Sequence, residues 1–325
     1  VSPAISVIVL NYNGREWLRP CLDAIARQVN APPFETIVAD NGSTDGSIAL
    51  VASVFPAVRV VDNERNLGFA AGNNRAARAA SAPLLVFLNN DTVPDPDWLA
   101  RLHAAHAAAD RQIVTSRIMF LNRPDVVDSA GDGYFRAGGA YKRGHGSDSG
   151  PFHQSGEVFG ACGAGFLIPR AIFDELGGFD EAFFMVYEDV DLSYRARLAG
   201  YRCWYAADAV VRHAGSGTLG TMSAAAVYHG QRNLEWTWMK NTPTGLMVRT
   251  LPVHAVYSIA GVVHYALRGR AGAALRGKIA ALAAIPRIIR ARRSVQRAAR
   301  IDTSRLEAMM DRGWLGAKRR EKSAR

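Results

Sequence analysis

Asn89-Asn90-Asp91 follows the apolar run Leu84-Leu85-Val86-Phe87-Leu88 without a break, so oxygen-bearing side chains stand at the end of a stretch apolar on both faces. A strand of that kind belongs inside an α/β sheet, and such sheets bind ligands beyond the carboxyl ends of their strands. Asp91 is therefore a candidate ligand for a hard divalent cation. Two other strand-like runs stop at comparable residues, Asn11 and Asp40. A carboxylate fixed by the tight turn Asn41-Gly42-Ser43 suits Asp40 to accept the imide N–H of uracil or thymine, and guanine offers a comparable donor.

The elements that must carry these residues alternate. Residues 5–10, 34–39, 58–61 and 84–88 have strand patterns. Between them, residues 16–28 place Trp17, Leu18, Leu22 and Ile25 at helical spacing, and residues 48–54 and 70–80 also read as helices. Strands separated by helices imply a mainly parallel, doubly wound sheet flanked by helices, with Asn11, Asp40 and Asp91 along one edge. Neither G-x-G-x-x-G nor G-x-x-x-x-G-K-[ST] occurs, which disfavours a dinucleotide dehydrogenase and a P-loop NTPase.

The chain has 325 residues, 49% of them hydrophobic, enough for a large core. Its net charge of +10 is unevenly spread: residues 243–325 hold 18 Lys and Arg against 4 Asp and Glu, leaving the rest at −4. The expected organisation is a catalytic domain over residues 1–242 and a basic helical extension over residues 243–325. Cys21, Cys162 and Cys203 are too scattered for a zinc site or a disulfide framework, and Val1-Ser2-Pro3 leads straight into a strand. Both features point to a reducing, cytoplasmic setting.

Ser6-Val7-Ile8-Val9-Leu10-Asn11-Tyr12-Asn13, Asp40-Asn41-Gly42-Ser43-Thr44-Asp45-Gly46-Ser47 and Asn66-Leu67-Gly68-Phe69-Ala70-Ala71-Gly72-Asn73 together resemble the family 2 glycosyltransferases, of GT-A fold. Asn89-Asn90-Asp91 stands where that family has its D-x-D metal motif. Gly160-Ala161-Cys162-Gly163-Ala164-Gly165 is similar to its acceptor segment, and Tyr187-Glu188-Asp189-Val190-Asp191 to its E-D catalytic motif. The motifs keep the family's order, and Asn-Asn-Asp with Arg212-His213-Ala214-Gly215 is most similar to bacterial rhamnosyltransferases of cell-surface polysaccharide synthesis.

The resemblance implies a nucleoside diphosphate sugar, dTDP- or UDP-linked by the preference of Asp40, held by Asn11, Tyr12, Asn13, Asp40, Gly42, Ser43, Asn66, Gly68, Phe69, Asn73, Asn89 and Asn90. Mg²⁺ or Mn²⁺ on Asp91, with His213 as a further ligand, would bridge the diphosphate. Asn89 replaces a family carboxylate, and its amide binds metal poorly. The implied reaction is inverting and needs one general base, assigned to Asp189. Glu188 flanks that base in the catalytic and acceptor site, while Asp191 caps the helix or pairs with Arg195. Cys162, Gly163 and Ala164 would floor the acceptor site, and residues 128–155 form a loop that either closes over the donor or is plain surface.

Residues 250–267 carry no formally charged side chain apart from two histidines and have about the length of a bilayer span, although Pro252, His254 and Ser258 interrupt them. Beyond them, residues 279–289 are apolar and Arg287, Arg290, Arg292, Arg293, Arg297 and Arg300 cluster. That combination fits an anionic membrane surface, placing the protein peripherally on the inner face of the cell membrane near a lipid-linked saccharide acceptor. No nucleic-acid motif is present. Two other classes fit less well: a nucleotidyltransferase, for which Asn11-Tyr12-Asn13-Gly14-Arg15 is a poor triphosphate loop, and a non-enzymatic membrane-associated binding protein, which leaves Asp40, Asp91 and Asp189 without a reason.

Overall fold

A computed structural model describes residues 2–108, 113–215 and 223–314. Its first half alternates as expected: β1 (Ile5–Asn11), α1 (Arg15–Ala26), β2 (Phe34–Asp40), α2 (Ser47–Val54), β3 (Arg59–Asp62), α3 (Gly68–Ala79) and β4 (Leu84–Asn89). The four strands pair in parallel in the order β4, β1, β2, β3. Successive side chains of a strand point to opposite faces, so a strand apolar on both faces needs a core on each side. Leu85 and Phe87 of β4 enter one core with Ile8, and Val86 and Leu88 enter the other with Val7 and Val9. Phe87, fully buried, packs on the rings of Phe166, Phe173 and Phe179 at centroid distances of 5.3, 5.2 and 5.1 Å. Truncating such a side chain to alanine costs about 3–5 kcal/mol.

The second half continues with β5 (Thr92–Pro94), α4 (Trp98–Ala107), β6 (Ile113–Phe120), β7 (Arg123–Ser129), β8 (Asp132–Tyr134), β9 (Ala140–Lys142), β10 (Gly156–Val158), β11 (Gly165–Pro169), α5 (Arg170–Glu175), α6 (Glu188–Leu198) and β12 (Cys203–His213). The main path of the sheet runs β10-β12-β6-β11-β4-β1-β2-β3. Two departures from parallel order place the site. β11 is antiparallel to β4 with Gly165 opposite Leu88, which brings the glycine-rich segment before β11 to the carboxyl end of β4. β5 pairs with the last residues of β12, setting His213 opposite Thr92 and so beside Asp91.

Residues 128–155 are not an open loop. β8 and β9 form a hairpin, and Asp128, Ser129, Asp132 and Tyr134 are buried. The cause is electrostatic as well as apolar: the Asp128 carboxylate is held by Lys142 and His145 from the same segment. The segment forms a wall of the site.

The chain then runs through α7 (Ala224–Asn241), α8 (Thr244–Ala266), α9 (Ala271–Ala283), α10 (Ile285–Arg297) and α11 (Thr303–Ala308). α7 stops at Thr242-Pro243, where the extended backbone cannot continue a helix. The last four helices share cores with the sheet-bearing part: Leu246, Leu306 and Met310 pack with Tyr134, Phe159 and Tyr194, and Ala281 and Ile288 with Phe183 and Trp236. Among the described residues α8 is the one helix long and apolar enough to cross a membrane, with a mean hydropathy of 1.5. Cys21, Cys162 and Cys203 are buried and unbridged.

Candidate functional site

Asn11, at the last position of β1, joins three chain segments. Its Nδ2 lies 2.9 Å from Asp40 Oδ1, 3.1 Å from Ser43 Oγ and 2.9 Å from Ser47 Oγ, while its Oδ1 accepts a hydrogen bond from Asn90 Nδ2 at 2.9 Å. Asp40 is nearly fully buried, and its Oδ1 accepts further from Ser43 Oγ while Oδ2 accepts the Ser43 N–H. Oδ2 thus carries one protein hydrogen bond and retains acceptor capacity. Gly42 has φ +72°, and a Cβ there would stand 2.8 Å from Arg65 Cα, so glycine alone fits between the two turns. Asn13 accepts the Thr44 N–H and donates its own N–H to Ser43 Oγ, leaving Tyr12 at the exposed rim.

The next segment is secured by asparagines. Asn41 Nδ2 donates to Asn66 Oδ1 and to the Gly68 carbonyl, and Asn63 Nδ2 donates to Asn41 Oδ1. Gly68, at φ +79°, lets the chain meet the Phe184 carbonyl, which accepts the Phe69 N–H at 2.6 Å. A Cβ on Gly68 would lie 2.4 Å from that oxygen. The sequence-predicted donor segment is therefore stitched to the loop before α6. Asn73 is buried and its Nδ2 donates to the Phe69 carbonyl of its own helix.

Asp91 and His213 come together. His213 Nε2 is 3.2 Å from Asp91 Oδ1, and its Nδ1 is 2.8 Å from Asp128 Oδ2. Asp128 in turn is bound by Lys142 Nζ at 2.9 and 3.0 Å and by His145. Although burial opposes ionisation, Lys142 and the two histidines hold the Asp128 carboxyl well below the usual carboxylate range. Burial likewise lowers His213, but its bonds to Asp128 and Asp91 prevail and raise it to about 9. A histidine whose Nδ1 is fixed by a carboxylate presents Nε2 in the way metal-ligating histidines do. Asp91 and His213 could supply two protein ligands to a cation, and no group of three His, Cys, Asp or Glu is set to hold a metal among the described residues. The donor set fits a divalent cation whose remaining positions are filled by diphosphate and water. Asn89 contributes backbone, donating its N–H to Ala164 and accepting from Thr92 Oγ1.

Gly163 and Ala164 bridge this end to the acidic end. Ala164 O accepts from Asn89, and one residue earlier Gly163 N donates to Asp189 Oδ2 at 2.8 Å. Asp189 Oδ1 accepts the Val190 N–H, yet burial still raises this carboxyl above its usual value. Glu188 is raised well above its ordinary range by burial and by Asp189, and its buried Oε2 has no hydrogen-bond partner among the described residues. Asp132 is likewise raised by burial and by Asp189, with Oδ1 unpartnered among the described residues. Such an environment yields a carboxylate that accepts a proton readily beside buried carboxyls able to bind hydroxyls. Cys162 is buried, which pushes its thiol up and leaves it unreactive, and its N–H donates to Thr115 Oγ1. Asp191 is fully buried and paired with Arg195 at i+4, with Lys240 and with Asn241, and so ties α6 to α7.

The loop before α6 is strained. Phe184, Val186 and Tyr187 all have positive φ, 64°, 66° and 77°. Asn233 Nδ2 lies within hydrogen-bonding distance of the carbonyls of Phe183, Met185 and Val186, and Arg232 holds those of Ala182 and Phe183. Strain of this kind persists only where surrounding bonds over-determine it, and it is common at active sites. Asp128, Asp132, Lys142 and Asn233 were not among the residues expected from sequence. The first three sit in a Gly- and Ser-rich stretch without periodicity. Arg232-Asn233 is legible only as part of a packed helix face.

Residues 6–177 match the model of glycosyl transferase family 2. The chain is 32% identical over 215 residues to the O-antigen biosynthesis protein RfbC of Myxococcus xanthus, a match covering 62% of this chain and 16% of that protein. It is 27% identical over 246 residues to an N-acetylglucosaminyl-diphospho-decaprenol L-rhamnosyltransferase of Mycobacterium tuberculosis, covering 66% of this chain and 76% of that one. The mannosyltransferase PcManGT of Pyrobaculum calidifontis, solved with GDP-Man and Mn²⁺, superposes with a TM-score of 0.54 at 21% identity, over 92% of this chain and 85% of that one. The shared fold is the GT-A fold. With the family model covering more than half of its residues, the chain belongs to glycosyl transferase family 2.

Proposed function

We propose that this glycosyltransferase moves a hexose, rhamnose foremost, from a dTDP- or UDP-sugar to a hydroxyl of a lipid-linked saccharide in surface polysaccharide synthesis, with inversion at the anomeric carbon. The observation that carries this reading is the Gly163-Ala164 bridge, which binds the Asp91 strand with one residue and Asp189 with the other. Donor diphosphate and acceptor hydroxyl would then meet across two residues of backbone. Asp189 takes the acceptor proton, and Glu188 and Asp132 receive neighbouring hydroxyls through their unpartnered oxygens. Asp40, through Oδ2, takes the imide N–H of the base. Asp91 and His213 would hold Mg²⁺ or Mn²⁺, which when bound neutralises charge on the departing diphosphate.

The similarity to the mycobacterial rhamnosyltransferase and to RfbC supports the sugar and the acceptor class. The acceptor's lipid and the basic, apolar C-terminal helices support a peripheral position on an anionic membrane at its cytoplasmic face. The test is nucleoside diphosphate release across dTDP-, UDP- and GDP-sugars, with and without Mn²⁺ and a polyprenyl-linked acceptor. Acceptor-stimulated, Mn²⁺-dependent release from a dTDP- or UDP-sugar is expected. Turnover of GDP-sugars alone would overturn the base preference, and metal-independent transfer would overturn the cation site.

A further inference from the structure

We propose that α8 and α9 together present one apolar face that lies flat in the headgroup region of an anionic bilayer, so that α8 docks along the membrane and does not cross it. This deepens the membrane contact proposed above and rests on it.

By length and hydropathy alone α8 is long enough to span. Its inner face forbids that. His254, midway along the helix, is buried, with Nδ1 bound to the Ala137 carbonyl at 2.9 Å and Nε2 to Glu235 at 2.8 Å, and its ring stacks on Trp238 at 3.7 Å. One turn later Ser258 Oγ donates to Glu235, and Tyr257 closes on Gly139 of the β8–β9 hairpin. α9 rests on the same anchor, for Lys278 also binds Glu235, and Gly277 packs on the Tyr228 carbonyl of α7. Drawing α8 into hydrocarbon would strip Glu235, His254 and Lys278 of one another, leaving charged groups unpaired.

Both helices turn their inner faces toward Glu235, so their opposite faces point away from the body together. On α8 that outer face carries Val256, Ile259, Val263 and Leu267, between 50% and 82% exposed, around a groove of 460 Å³. On α9 it carries Leu275, Ile279 and Leu282, each at least half exposed. The charge around this face identifies the occupant. Residues 243–301 contain 11 Lys and Arg and no Asp or Glu. Arg276, Arg290 and Arg293 are exposed and have no carboxylate partner among the described residues. A second copy of the chain docked on this face would set arginine against arginine, whereas phosphate headgroups complement it. The inner face of α8 grips the hairpin whose Ala140 N–H donates to Tyr187 Oη, the residue before Glu188. A bilayer on the outer face therefore sits one hairpin away from the acidic end of the site, where the head of a lipid-linked acceptor would be presented.

The full-length protein is tested by flotation with vesicles of equal parts phosphatidylglycerol and phosphatidylcholine, with phosphatidylcholine vesicles alone, and by alkaline carbonate extraction of cell membranes. Ile259→Asp/Ile279→Asp changes exposed residues only, and circular dichroism checks its fold. The expected results are binding to the anionic vesicles, release by carbonate, and at least roughly tenfold weaker binding by the double variant. Resistance to carbonate overturns in-plane docking in favour of a span. Equal binding to neutral vesicles overturns the anionic partner. A dimer by light scattering that the double variant disrupts, without vesicle binding, assigns the face to a second copy. Vesicle binding is read without substrate and the double variant retains transfer to a water-soluble acceptor, so failure here is distinct from failure of the proposed transfer reaction.

Discussion

Gly163→Ala tests whether the backbone bridge between the two ends of the site positions the base. The position is not in the left-handed region, so alanine's backbone preferences are met and only contact decides. A Cβ there would lie 2.9 Å from Asp189 Oδ2 and 3.3 Å from Asp189 Cβ, where ordinary contact begins near 3.4 Å. The carboxylate must retreat by several tenths of an ångström, lengthening the 2.8 Å bond from Gly163 N. A hydrogen bond to a charged group contributes about 1.5–3 kcal/mol, and each 1.36 kcal/mol at the transition state is tenfold in rate, so kcat should fall by roughly 10- to 100-fold. Donor KM should stay within about threefold, because the donor side of the bridge is untouched. Gly165→Ala is the control, since its nearest neighbours lie at 3.4 Å, ordinary van der Waals contact. Steady-state kinetics on both variants decide the matter. If Gly163→Ala keeps wild-type kcat, or if Gly165→Ala loses as much, the bridge does not position Asp189.

Three further outcomes are expected. Asp128→Asn should weaken Mn²⁺ binding by roughly 10- to 100-fold in titration calorimetry, because a neutral amide no longer fixes the His213 ring; unchanged affinity would remove Asp128 from the cation site. Asn233→Ala should cost about 2–4 kcal/mol in urea unfolding, since its amide holds a loop with three positive-φ residues; a loss under about 1 kcal/mol would mean the strain is held elsewhere. Glu235 is held down to about 2, His254 and Lys278 outweighing the burial that raises it, so its stabilisation is present above its unfolded value near 4.5 and is lost as pH falls toward 2. Glu235→Gln should therefore flatten the acid limb of the stability profile between those values, by about 3 kcal/mol, and an unchanged slope would refute the ion-pair account.

The strand ends were legible because a buried strand writes itself as an apolar run and stops visibly at Asn11, Asp40 or Asn89. The mainly parallel sheet followed from the alternation of such runs with helical spacing, and the resemblance to family 2 glycosyltransferases implied its GT-A form. What could not be read are partnerships made by distant backbone pairing. Nothing in the neighbourhood of Asp128 predicts that β12 returns 85 residues later to lay His213 against it. Residues 128–155 were expected to be a loop because their glycines and serines hide a hairpin held by Lys142 and His145. Asp40 and Asn73 were expected to face ligand, and the structure commits much of the first and all of the described bonding of the second to the protein itself. Likewise residues 250–267 have in sequence the length of a span with polar interruptions that favour a surface helix, and only the bonds of His254 and Ser258 to Glu235 reveal which side is fastened.

The central claim is that Asp189 accepts the acceptor's proton in glycosyl transfer. Asp189→Asn removes the base and can keep one of the two backbone bonds, from Gly163 N or from Val190 N, so donor affinity should stay close to wild type and transfer should fall by about 10²- to 10⁴-fold, read as product formed from donor and acceptor in a single assay. Unchanged donor binding with wild-type transfer by Asp189→Asn would contradict the account.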